Sequence, residues 1–150
     1  MKLLFLDFDG VFIHAGAAEP QATGVLRELI QTHQPKIVLI TMWQTSTDLE
    51  PMYQILQRHL QLNRNEVILT PREILTRMNA TLDLQMQYES IISRNKRNAV
   101  LHYLKSNPTP QNEILILDDF HLDHPAQVVC DPELKWIEQV RTQWLRKIPA

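Results

Sequence analysis

Two aspartates one residue apart, Asp7 and Asp9, stand where an apolar run ends and a glycine, Gly10, begins a turn. Carboxylates that close repel each other unless a cation lies between them or one keeps its proton. The stretch Leu3-Leu4-Phe5-Leu6-Asp7-Phe8-Asp9-Gly10 therefore asks for a metal. A second acidic pair, Asp118-Asp119, closes the apolar run 113–117, and Thr41 closes the run 36–40. Ligation by oxygen alone, without clustered His or Cys, suits a hard cation, and Mg²⁺ before Ca²⁺ when a phosphate must complete the octahedron. Taken singly, each acid reads as a solvated loop residue or a helix cap. What sets the group apart is that each acid interrupts the end of an apolar run.

These residues can act together only if the chain brings the ends of those runs to one place. Short continuous apolar runs bounded by turn signals read as strands buried on both faces, the kind found inside a parallel sheet. Five are expected: Leu3–Leu6, 36–40, 66–69, 113–117 and 127–130. Between them lie helical patterns. Val25, Leu26, Leu29 and Ile30 mark one apolar face over 23–34, stopped by Pro35. Leu49, Met52, Leu56 and Leu60 mark another, with Asp48 favoured as cap because Pro51 then falls in the first turn. Residues 72–95 are read as helix, from Ile74, Leu75 and Met78, although Leu82, Leu84, Met86 and Tyr88 alternate. From Arg97, the residues Ala99, Val100, Tyr103 and Leu104 form a compact helical face that Asn107-Pro108 closes. Asp131-Pro132-Glu133 reads as the start of a last helix that buries Trp136, Ile137, Val140 and Trp144, with Asp131 as its cap. Strands alternating with helices predict an α/β three-layer sandwich: a central parallel sheet of about five strands with helices on both sides. In such a sheet ligands bind beyond the carboxyl ends of the strands, which is where Asp7, Asp9, Thr41, Asp118 and Asp119 collect.

A chain of 150 residues is the size of one domain with a sizeable core. Its net charge of −2 gives no general electrostatic pull toward nucleic acid or anionic membrane. No apolar run approaches a membrane span, and the first residues run straight into Asp7, so they read as a strand and not as a signal peptide. The cytoplasm is the expected location. Cys130 is the only cysteine, which excludes an internal disulfide and reads as a small buried hydrophobe. His14, His121 and His124 lie near the expected edge but lack the spacing of a metal pair.

Asp7-Phe8-Asp9-Gly10-Val11 resembles the first motif of the haloacid dehalogenase (HAD) superfamily, the aspartyl-nucleophile phosphatases and phosphotransferases. The order of the rest agrees: Thr41 closing a second strand, Lys96 opening a later helix, and Asp118-Asp119 closing another strand. Within that superfamily, Ile37 to Trp43, Thr70-Pro71, Lys96 before Ala99-Val100, and Asp131-Pro132-Glu133-Leu134 are similar to a small branch related to the HAD domain of RNA-repair proteins. The resemblance implies a Rossmann-like fold over nearly the whole chain and a phosphatase with Asp7 as nucleophile and Asp9 as general acid and base. It implies Mg²⁺ held by Asp7, the Asp9 backbone carbonyl and Asp118, with Asp119 beside them. Thr41 is then the phosphate hydrogen-bond donor and Lys96 the catalytic cation. Arg94 and Arg97 flank Lys96, so which of the three faces the acids stays open. Gln44 stands where relatives of this branch often carry Arg.

The gaps between motifs leave no room for a full cap domain, while residues 72–95 suit an insertion, a dimer contact or a flap. An uncapped site points to a phosphorylated substrate large enough to cover it, such as a nucleic-acid end or a phosphoprotein. Two further readings keep the sheet. One is a silent binding or regulatory module that holds Mg²⁺ or a ligand. The other is a phosphoacceptor receiver domain, which ranks behind because the acidic pair follows the fourth strand and the third ends in Thr70.

Overall fold

The computed structural model of the chain describes residues 1–79, 83 and 86–146. The chain opens with β1 (Leu3–Leu6), a small hairpin of β2 (Ile13–His14) and β3 (Ala17–Ala18), and α1 (Pro20–His33). Then come β4 (Lys36–Leu39), a 3₁₀ turn at Met42–Thr45, α2 (Glu50–Ile55), β5 (Val67–Leu69), α3 (Arg72–Leu75) and α4 (Tyr88–Ser106). The strands β6 (Ile114–Asp118) and β7 (Gln127–Val129) and the helix α5 (Lys135–Val140) follow. Five strands form one parallel sheet in the order β5-β4-β1-β6-β7. Helices cover both faces, and among the described residues no cap stands over the strand ends. None of the described helices is long and apolar enough to cross a membrane.

Period-two alternation divides the core. Leu4 and Leu6 of β1, with Leu115 and Leu117 of β6, pack against α1, α2 and α5. Leu3 and Phe5, with Ile114 and Ile116, pack against α3 and α4. Leu6 sits opposite Leu39 on one side and Leu117 on the other, which brings the carboxyl ends of β4, β1 and β6 level.

The expected strands stand to within a residue or two, but several helix boundaries differ. The first helix starts at Pro20 because the Glu19 carboxylate accepts the Ala22 N–H at 2.7 Å and caps it earlier than the apolar stripe begins. Leu49, not Asp48, is the N-cap of α2, and Asp48 accepts the Glu50 N–H at 3.0 Å from one position further back. The last helix begins at Lys135, not at Pro132. Leu134 takes a left-handed conformation (φ 62°), and Asp131 accepts the N–H groups of Lys135 and Trp136 across that turn. Residues 72–95 are not one helix: α3 ends at Leu75 and α4 starts only at Tyr88. Leu82 and Leu84 of the alternating stretch lie outside the described residues. The β2–β3 hairpin has no apolar alternation to announce it and was not expected.

Candidate active site

The alternation that divides the core also aims the acids. Asp7 follows Leu6, so it turns to the face that Leu3 and Phe5 occupy, beneath α4. Its N–H donates to the Leu117 carbonyl at 3.0 Å, carrying the β1–β6 ladder one residue further. Asp118 continues Ile114 and Ile116 onto that same face. Two carboxylates on neighbouring strands thus meet under one helix, and both are buried.

The helix answers with a cation. Ile92, Lys96, Ala99 and Val100 form the buried stripe of α4. The Lys96 Nζ lies 3.1 Å from Asp7 Oδ2 and 2.9 Å from Asp118 Oδ2. Its flanking residues do not reach the acids. Arg94 is taken up by Asp83 at 2.6 Å and by the Arg77 carbonyl, while Arg97 Nη1 stands 3.9 Å from Asp123.

One ammonium does not balance two buried carboxylates. Burial pushes Asp7 above the usual carboxylate range, and Lys96 only partly opposes it. Burial and then the Asp7 charge push Asp118 up to about 8. Burial works against the Lys96 ammonium too, but the two carboxylates together outweigh it and its pKa is raised. Asp119 adds a third acid, and oxygens of Asp7, Asp118 and Asp119 lie within 4.8 Å of one another. An all-oxygen set with surplus negative charge fits a hard divalent cation.

Asp9 is placed differently. Its side chain is exposed and outside that three-carboxylate group, and its Oδ2 accepts the Trp43 Nε1–H at 2.9 Å. Trp43 itself leans on Phe8 with ring centroids 6.0 Å apart. The bond spans 34 positions, and no local sequence pattern pairs an indole with that acid.

Gly10 is required twice. Its φ is +78°, a region that disfavours residues with a Cβ, and a Cβ there would fall inside the Asp119 carboxylate. Gly10→Ala is expected to displace Asp119, lowering both the melting temperature and the affinity for added Mg²⁺. A titration that leaves Mg²⁺ binding unchanged would place Asp119 outside the metal set.

Thr41 is fully buried beyond the end of β4, where its Oγ1 accepts the Trp43 N–H at 3.3 Å and keeps its own O–H to donate. Gln44 points inward. Its Nε2 donates to the carbonyls of Leu39 and Thr41, and its Oε1 accepts the Thr70 N–H at 2.8 Å. It ties β4 to β5 and has no free group to offer a phosphate. The loop histidines serve turns: His14 Nε2–H donates to the Val11 carbonyl, and His121 and His124 accept the N–H groups of Asp123 and Ala126. Cys130 is buried behind the acids, with its thiol pushed far up first by burial and then by their charge, and so is no nucleophile.

Comparison with known proteins bears on this arrangement. The model of the family described as the HAD domain in Swiss Army Knife RNA repair proteins matches residues 3–139. No curated protein and no solved structure matches the chain.

Proposed function

The chain belongs to the HAD domains of Swiss Army Knife RNA repair proteins, and on that premise we propose that it is a Mg²⁺-dependent phosphohydrolase working through an aspartyl phosphate on Asp7. The observation that carries the reading is the single buried ammonium of Lys96 shared between Asp7 and Asp118, with Asp119 in ligand range of both acids. Mg²⁺ held by Asp7, Asp118, Asp119 and the Asp9 carbonyl would supply the positive charge that lets an anionic carboxylate approach an anionic phosphate.

The residues divide the work. An Asp7 oxygen attacks phosphorus, and the bond from phosphorus to the leaving oxygen breaks as Asp9 gives that oxygen its proton. Asp9, now ionised, takes a proton from water, whose oxygen attacks the same phosphorus. The bond to Asp7 then breaks and inorganic phosphate leaves. Thr41 donates its hydroxyl hydrogen to a phosphoryl oxygen, and Lys96 offsets charge on the nucleophile. With no cap among the described residues, the substrate itself must cover the site, which favours a large one such as a nucleic-acid end.

Trp43 positions the acid. An indole N–H only donates, so the Asp9 oxygen it holds, Oδ2, stays an acceptor and Oδ1 carries the proton to the leaving group. Trp43→Phe is expected to lower kcat/KM for alkyl phosphates by roughly ten- to a hundredfold more than for p-nitrophenyl phosphate, whose leaving group needs little acid help. Equal losses on both would make Trp43 a packing residue only.

The test of the whole reading is phosphate release from a panel that includes p-nitrophenyl phosphate and 3′- and 5′-phosphorylated oligonucleotides, with Mg²⁺ or with EDTA. Metal-dependent release supports it. Mg²⁺ binding without release from any member would leave a binding module in its place.

A further inference from the structure

Beside the acids, the first turns of α4 and the loop between β6 and β7 enclose a cleft of about 590 Å³. That volume is within the range of pockets that bury a small organic ligand. Asp119 lines it, so the cleft borders the three-carboxylate group through that one residue. The loop wall is braced. Gln127 Nε2 donates to the Phe120 carbonyl at 2.6 Å, and its Oε1 accepts the Leu122 N–H at 2.8 Å.

On the helix side, Ser90, Ser93, Arg94 and Arg97 recur at the spacing of one helical face and line the cleft together. Their charges differ in how far they are committed. Arg94 is held by Asp83 through both terminal nitrogens. Arg97 is not held. Its Nε is buried without a hydrogen-bond partner among the described residues, and its nearest carboxylate is Asp123, 3.9 Å away and 85% exposed. The Nε is closed off from solvent, but the Arg97 side chain as a whole is 43% exposed and lines the cleft, which leaves its terminal nitrogens as the donors a ligand can reach. A guanidinium offers parallel N–H groups that fit a phosphate. Three acids line the cleft beside it: Asp119 belongs to the three-carboxylate group, Asp123 lies too far from Arg97 for a hydrogen bond, and Glu89, about two helical turns before Arg97, makes no ion pair with it among the described residues.

We propose that this cleft is a second phosphate site. Arg97, aided by the Ser90 and Ser93 hydroxyls, binds a phosphate of the substrate set back from the one that Asp7 attacks. The inference rests on the phosphohydrolase reading for the direction of the substrate, and it names the substrate class as one that carries two phosphate groups. Such a group comes from a nucleoside bisphosphate or from the phosphodiester of a nucleic-acid strand.

The experiment has a binding arm and a turnover arm. In the first, calorimetry with Mg²⁺ on the Asp7→Asn protein compares nucleoside 3′- and 5′-monophosphates with the 3′,5′-bisphosphate and a phosphorylated dinucleotide. In the second, kcat/KM is measured for the same compounds on protein with Asp7 intact. Each is repeated with Arg97→Gln and Arg97→Lys. The two-phosphate ligands are expected to be preferred, and Arg97→Gln is expected to cut that preference roughly ten- to a hundredfold, as for loss of a charge-assisted hydrogen bond, with Arg97→Lys in between. A larger preference for the bisphosphate identifies a free nucleotide as the source, and a larger one for the dinucleotide identifies a strand. No preference, or one that Arg97→Gln leaves intact, overturns the second site even if p-nitrophenyl phosphate is hydrolysed. An Arg97-dependent preference in binding without turnover of any compound retains the second site and removes the hydrolase.

Discussion

Asp7→Asn should abolish phosphate release while leaving the fold intact. The substitution keeps the shape of the side chain and removes the nucleophilic oxygen, and loss of a covalent nucleophile costs on the order of 10⁴- to 10⁶-fold in kcat. Stability should not fall with it. Asp7 is a buried carboxylate whose charge is disfavoured by its surroundings, and Lys96 keeps Asp118 as a partner at 2.9 Å. The metal-free variant is therefore expected to melt at or above the temperature of the unmodified protein, which separates a chemical defect from unfolding. Mg²⁺ affinity should drop, since one of three carboxylates is gone. The decisive comparison is phosphate release against melting temperature on the same preparations. Turnover that survives Asp7→Asn would remove the aspartyl phosphate from the mechanism.

Lys96→Met should be the most destabilising single change at this site, and its cost should depend on pH. Methionine fills a similar volume but leaves Asp7 and Asp118 facing each other in a buried place without their cation. Breaking a buried ion pair from one side costs about 3–5 kcal/mol. The sign of the pH dependence follows from the raised pKa values. A carboxyl group whose folded pKa lies above its unfolded one supports the fold at low pH, and that support is lost as pH rises through the folded value. For Asp118 the window runs from about 4 to about 8 with Lys96 present. Without Lys96 both acids shift further upward. The difference in stability between the two proteins should thus be large at pH 8.5 and shrink toward pH 5, where the acids of the variant are protonated. Added Mg²⁺ should narrow the gap at high pH by taking the place of the missing charge. Chemical denaturation at several pH values, with Mg²⁺ and with EDTA, measures this. A gap that does not change with pH would mean that Lys96 acts by packing alone.

The parts of this molecule that sequence reveals are those where one run of residues carries its own explanation. Leu3 to Leu6 is apolar at every position because both faces of β1 are covered, and Asp7 is conspicuous because it ends that run. The same holds for Asp118 at the end of β6. The choice of Lys96 over Arg94 and Arg97 was legible in principle, since only Lys96 falls on the stripe with Ile92, Ala99 and Val100. What stayed hidden depends on contacts between distant segments. The Trp43–Asp9 bond and the Gln44 bridge from β4 to β5 are invisible until the sheet has brought their strands together. The start of α4 was obscured because its first turns carry polar residues toward a cleft and show only Ile91 and Ile92 as buried apolar signals. Beyond α2 and α5 the chain winds into wide π turns, Leu56–Leu60 and Arg141–Leu145, which an apolar stripe does not distinguish from α-helix.

The alternation in the two central strands also tells where this chain is free to change. In β1 the even positions, Leu4 and Leu6, answer to the layer of α1, α2 and α5, and the odd ones, Leu3, Phe5 and Asp7, to the side where the acids meet α4. In β6 the parity is reversed, with Leu115 and Leu117 on the first side and Ile114, Ile116 and Asp118 on the second. A mutational scan along either strand would therefore show a two-beat rhythm. One beat tracks the yield of folded protein alone, and the other tracks yield together with chemistry. A redesigner can repack the first layer as a chassis and leave the working face untouched.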